Sequence, residues 1–229
     1  MRTPLLAFVA AAFSACTFPS ILETALGPFT YTVDATRFAI PATLVDTNGS
    51  IRSISCQTDM GCPALGAGQP AVHCVGGVCD PDAFVFELAS DPIDLNQNAT
   101  VAMYGSNVNR IDVISATYSA MPTGITTAVG PTLLYWGPAT ATSTAAPDVH
   151  LLGTIPAMDF ALTPTIDAAP MTLDSAGASG LSTHLLSVSR TMRLFVRPSV
   201  DLAPGNRVPM GSLRLDLSFK VHVEGQLVR

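Results

Sequence analysis

The sequence predicts an all-β protein: a single antiparallel β-sandwich-like domain carrying a disulfide-stapled loop insertion. Three observations lead there. In the run from 213 to 224, Leu213, Leu215, Leu217, Phe219, Val221 and Val223 alternate with Arg214, Asp216, Ser218, Lys220, His222 and Glu224. A period of two sustained that long makes a strand with one buried face and one wet face, on a half-exposed antiparallel sheet. Short runs rich in β-branched and aromatic residues, bounded by Pro, Gly, Asn or Asp, recur along the rest of the chain, the pattern of a many-stranded antiparallel fold. Finally, Cys56, Cys62, Cys74 and Cys79 crowd into one segment of 24 residues with almost no large apolar side chains.

Composition allows a substantial core and narrows the function classes. Of 229 residues, 48% are apolar and only 12% charged, about half the usual charged share, which excludes a disordered acidic chain. The net charge of −6 is unevenly spread. Glu23 to Ser189 carries fourteen acids against Arg37, Arg52 and Arg110, whereas the chain from Arg190 onward carries seven bases and three acids. An acidic chain whose bases cluster only in its tail is a poor fit to nucleic acid.

The N-terminal residues read as an export leader. Arg2 supplies a minimal positive start, Leu5 to Phe13 form an apolar core, and Ser14 and Ala15 precede Cys16. The tetrapeptide Phe13-Ser14-Ala15-Cys16 resembles the lipobox of bacterial lipoproteins, with Phe13 where Leu is usual. That resemblance implies a signal peptide at 1–15, a diacylglycerol on the Cys16 thiol, and cleavage and acylation at the Cys16 amine. Each buried CH₂ contributes about 0.8 kcal/mol, so several chains on one residue hold a protein at a bilayer. Thr17, rather than Asp, after the lipid site leans towards the outer membrane by the same resemblance. Residues 16–28 are then expected to be a lipid-anchored tether, with the β domain spanning 29–229. Two other readings stand beside this one. Cleavage after Ala12 would release a secreted protein with a spare thiol. The uncharged stretch from Thr3 to Leu22 could just span a bilayer, although Ser14, Thr17, Pro19 and Ser20 suit a membrane helix poorly.

Next in the chain, Asn48-Gly49 between two strand-like runs predicts a type I′ hairpin pairing residues 29 to 45 with 50 to 56. The second of these feeds the cysteine-rich insertion at 56–79. Its C-x5-C-x11-C-x4-C spacing lacks the paired C-x2-C knuckles of a zinc ribbon, and export favours disulfides. The segment also resembles a short module of secreted bacterial proteins of the form C-x-x-D-x-x-C-P…C-x-x-G-x-C. Cys56, Asp59, Cys62, Pro63, Cys74, Gly77 and Cys79 occupy those positions, with a longer central gap. The resemblance implies compartment and bonding but no activity. Three pairings are open, with a lean towards the interleaved Cys56–Cys74 and Cys62–Cys79.

Downstream, strands are expected at 83–89, 99–105, 110–120, 132–136 and 149–155, then at 213–224. Only 181–190 could be a helix, with Leu181, Leu185 and Val188 on one side. Residues 121 to 180, rich in Ala, Thr, Pro and Gly, read as containing long connections between strands.

Motifs for chemistry are sparse. Gly177-Ala178-Ser179-Gly180 lacks the G-x-S-x-G spacing of a nucleophile elbow, and His73, His150, His184 and His222 have no close ligand spacing. The carboxylates Asp80, Asp82, Glu87, Asp91 and Asp94 form the one polar cluster. Asp80, Asp82, Asp91 and Asp94 are candidate calcium ligands, although Asp-Pro pairs such as Asp80-Pro81 and Asp91-Pro92 also start turns. Alternation would turn one of Tyr135 and Trp136 inward, with Trp136 expected in the core. The sequence therefore suggests an exported, lipid-anchored envelope protein with a non-catalytic structural or binding role. It would attach to the membrane through its anchor and meet a protein partner in the envelope, and no cofactor is indicated. A calcium-dependent adhesion module and a lipid-tethered hydrolase are the alternatives.

Overall fold

The alternating run at 213–224 forms the strand around which the larger elements assemble. The computed structural model describes residues 20–160, 164–187 and 189–226. In chain order the elements are β1 (Ser20–Asp34), β2 (Val72–Val75), β3 (Val78–Pro81), β4 (Phe84–Val85), β5 (Leu88–Ala89), β6 (Ile93–Asp94) and α1 (Ala99–Tyr104). They continue with β7 (Val108–Thr123), β8 (Thr132–Pro138), β9 (His150–Ile155), β10 (Ile166–Pro170), β11 (Thr172–Leu173), α2 (Ser175–Leu185), β12 (Thr191–Arg197), β13 (Ser199–Val200) and β14 (Ser212–Gly225).

Two antiparallel sheets share one apolar core. The first has the order β1-β14-β7-β10, the second β11-β9-β8-β12-β5 with β6 also pairing β12. Every inward residue of β14, from Leu213 to Val223, is at most 3% exposed. The same cluster takes Tyr31 and Val33 from β1, Leu134 and Trp136 from β8, and Leu194 and Val196 from β12. Met171, between β10 and β11, carries the chain from the first sheet to the second. On the outer face of the first sheet, Glu23, His222 and Asp112 stand in cross-strand register, and Lys220 pairs with Glu23. Among the described residues, no helix is long and apolar enough to cross a membrane.

The all-β expectation holds, with five differences in detail. The strand β1 begins at Ser20, so residues 20–28 of the expected 16–28 tether are sheet, paired with β14 from Ser20↔Gly225 onward. Pro28 is tolerated there because β1 is an edge strand and the register shifts between Leu26 and Phe29. The turn at Asn48-Gly49 exists but is not type I′. Gly49 N–H donates to Asp46 O at 3.2 Å, and only Gly49 of the pair has positive φ, which is a type I turn closed by one left-handed residue. The flanks of that turn form the isolated bridge Val45↔Ile51 rather than a ladder of paired strands. The run at 83–89 divides, β4 pairing β13 while β5 joins β12. Residues 99–105, expected as strand, contain α1, because the Asn98 side chain accepts from the N–H groups of Thr100 and Val101. The helix expected at 181–190 starts earlier, at Ser175, and ends at Leu185; Val188 lies outside the described residues.

Candidate functional site

The cysteine-rich module brings together more of the residues singled out in the sequence than any other part of the described surface. It is built on the ribbon β2–β3. Gly76 and Gly77 form its two-residue loop with φ of 59° and 85°, the backbone a type I′ turn demands. That turn places Cys74 and Cys79 directly opposite each other. Each then bonds away from the ribbon, in Cys56–Cys74 and Cys62–Cys79. The interleaved pairing is the one observed, with sequence separations of 18 and 17 residues. Loops of that size are each worth roughly 3 kcal/mol in the chain-entropy view. The module is tied to the residues before it through Cys79 N–H to Ile54 O and the bridge Ser55↔Val78. The Sγ atoms of Cys56, Cys62 and Cys79 lie within 4.8 Å of one another, but all three are disulfide sulfurs rather than thiolate ligands.

Asp59 explains why a carboxylate suits its position between the first two cysteines. Its Oδ1 accepts the Cys74 N–H at 2.7 Å, joining the short 3-10 turn Asp59–Gly61 to the ribbon. Its Oδ2 stands 3.2 Å from His73 Nδ1, and on the other side His73 Nε2 is 3.6 Å from Asp82 Oδ2. Hydrogen bonding to Asp59, then the charge of Asp82, raises the His73 imidazole above its usual range. The N–H of Cys74, then His73, lowers the Asp59 carboxyl. With both ring nitrogens facing carboxylates, the geometry suits a clamp that ties three segments of the module together. Met60, beside Asp59, is 94% exposed.

The other candidates are dispersed. Asp80 is the cross-strand partner of His73, and its buried Oδ1 has no hydrogen-bond partner. Asp91 lines a shallow depression with Pro28 to Tyr31. Asp94 accepts the Asn96 N–H at 2.9 Å and caps the turn Leu95–Gln97. Glu87 accepts from the Thr144 N–H and hydroxyl at 3.0 and 2.5 Å. No three of these carboxylates converge to within ion-binding distance. Trp136 is buried, as expected, and its Nε1–H donates to Gly177 O at 2.9 Å. The rings of His150 and His184 lie 5.1 and 5.2 Å from it. His184 Nε2 is also 2.8 Å from Thr191 O.

Open depressions mark the described surface. One of about 420 Å³ lies between β7 and α2, where the charged groups are Arg110 and Asp112, themselves paired at 2.5 Å. Another, of about 370 Å³, separates Arg37, Phe38 and Ala39 from Gly68, Gln69 and Pro70 of the module. There Arg37 sits 5.4 Å over the ring of Phe86, and Phe38 meets the same ring edge-on at 4.8 Å. This contact packs Phe86, which follows the module in the chain, against the turn after β1, and the depression beside it is where the module borders that turn. Sequence reading missed it because Arg37, Phe38 and Phe86 belong to no motif. The Gly76-Gly77 pair between two valine-rich runs was the signal for the ribbon.

No family model matches the chain, and neither does any curated protein. Among solved structures, a chain of Desmodium yellow mottle tymovirus overlays with a TM-score of 0.28 at 10% identity, covering 100% of this chain and 95% of that one. A chain of turnip yellow mosaic virus gives a TM-score of 0.23 at 12% identity, covering 79% and 93%. Overlays at this level carry no argument about function or ancestry.

Proposed function

We propose that the chain is an exported cell-envelope protein, anchored through lipid on Cys16 in the outer membrane, with a binding or structural role. The pair of disulfides carries this reading. Both cross-links form only where thiols are oxidised, and such bonds persist outside the cytoplasm. An oxidising compartment is where a leader ending in Phe13-Ser14-Ala15-Cys16 would deliver the chain. Cys16 itself lies outside the described residues.

A non-catalytic role draws support from how the polar side chains are used. Asp46, Asp59, Asp94, Asn98 and Asp174 each accept backbone N–H groups in turns and caps. Their hydrogen-bonding capacity goes into holding loops, and Asp59, with the two disulfides, orders the module as a surface for contact. Growth of the producing cell with labelled fatty acid tests the anchor. The wild-type chain is expected to carry label and to begin at Cys16, and Cys16→Ala is expected to lose it. Label persisting in Cys16→Ala, or a mature chain beginning after Ala12, would overturn the assignment.

A further inference from the structure

We infer that the end of the sandwich carrying Ser20 is the bilayer-facing surface, and that the stapled module is presented at the opposite end. The inference rests on the Cys16 anchor. Only Thr17, Phe18 and Pro19 separate Cys16 from the first residue of β1. Four Cα steps span at most about 14 Å, so the anchor cannot be far from this end of the sheet.

Several elements converge there. Ser20 pairs with Gly225, and its hydroxyl lies 3.3 Å from the Tyr104 hydroxyl at the end of α1, which in turn donates to Ser20 O at 3.2 Å. Gln226 N–H donates to Asn107 O at 3.1 Å, and the Arg190 guanidinium donates to Gly105 O at 2.7 Å. Around this junction Ile21 is 57% and Met103 51% exposed. Each is next in sequence to a member of the Ser20–Tyr104 contact, so a short tether brings both to the lipid headgroups. Among the described residues nearby, Lys220 is paired with Glu23, Arg110 with Asp112, and Arg190 donates to backbone oxygen, while Glu224 stands opposite Arg110 in the sheet register. Two exposed apolar side chains beside charges that are mostly paired within the fold fit the interfacial region of a bilayer.

The other end of β1 leads to the module. Fifteen residues of strand at ~3.3 Å each place Asp34 roughly 45 Å from Ser20. The next residues, Ala35–Phe38, carry the Phe38–Phe86 contact and border the depression whose far wall is Gly68 to Pro70. The anchor and the His73 clamp therefore belong to opposite ends, and the clamp with Met60 is held out from the membrane.

Two native methionines test this without altering the fold. Acylated protein in phosphatidylethanolamine–phosphatidylglycerol vesicles, with the module side outward, is oxidised with a charged reagent such as chloramine-T, and each methionine is followed by mass spectrometry. The expected result is oxidation of Met103 at least five-fold slower than in Cys16→Ala protein free of vesicles, with Met60 unchanged. Met103 oxidised at the same rate in protein whose intact mass shows the acyl chains would overturn the orientation while leaving the anchor in place. An intact mass without acyl chains would overturn both. Protection of Met103 in vesicle-free Cys16→Ala protein that sediments as a dimer would overturn the bilayer in favour of a second copy of the chain.

Discussion

Asp59 and His73 show how a single contact can depend on pH in two directions. Raised by Asp59 first and Asp82 second, the His73 contribution is fully present below the unfolded imidazole value of about 6.5 and fades as pH rises through the elevated folded value. Lowered first by the Cys74 N–H, the Asp59 contribution is present above the unfolded carboxyl value of about 3.9 and is lost as pH falls through the folded one. The clamp is thus complete between about pH 4 and 6.5 and loosens first on the alkaline side. These groups are exposed, so the effect is local ordering rather than global stability. An NMR titration is expected to place the His73 midpoint above 6.5, and Asp59→Asn is expected to lower it while keeping an oxygen for the Cys74 N–H. A midpoint at or below about 6.5 that Asp59→Asn leaves in place would show that the clamp is not formed.

At the level of elements, α2 depends on a close approach. Asp174 accepts the Gly177 N–H at 2.7 Å and starts the helix, and a Cβ on Gly177 would sit 1.6 Å from Leu151 O on β9. Alanine usually favours a helix over glycine by about 1 kcal/mol, but here backbone must move. Gly177→Ala is expected to destabilise by about 3 kcal/mol, the upper end of ordinary overpacking. Gly180→Ala, whose Cβ would stand 3.2 Å from the Trp136 ring edge, is expected to stay within about 1 kcal/mol of wild type because its helix gain offsets that contact. Urea denaturation of the two variants checks the contrast; equal losses would refute it. The Gly177-to-Gly180 run that offered no catalytic spacing is thus a docking surface for β9 and Trp136. The strand at 213–224 could be read in advance because apolar residues repeat on one face, and those at 110–120, 132–136 and 149–155 because runs rich in β-branched and aromatic residues are bounded there by turn residues. Less legible were α1, where the Asn98 cap outweighs the β-like composition of Val101 and Tyr104, and β4 and β5, where seven residues serve two sheets. The module's cysteines announced its position and its disulfides. Its His73 clamp was hidden, because Asp59 and Asp82 lie 14 and nine residues away along the chain, and it takes the disulfides on one side and the β2–β3 ribbon on the other to bring them to the same imidazole.

Across the whole molecule, the earliest described strand is completed by the last. Ser20 and Gly225, 205 residues apart, are direct neighbours, and β14 lies between β1 and β7 in the first sheet. Burial of its six inward side chains at about 1.5 to 3 kcal/mol each amounts to roughly 9 to 18 kcal/mol, against a total stability of about 5 to 15 for a typical domain. A chain cut before Ser212 is therefore expected to show no cooperative thermal transition, and a sharp calorimetric peak from it would contradict this view of the core. The same pairing bears on passage through a membrane. Under the proposed export, a chain threaded across N-terminus first could not close its first sheet until residue 225 had emerged, so that sheet would stay open for nearly the whole journey. Completion of that sheet would then coincide with arrival, a delay that comes from the order of the strands.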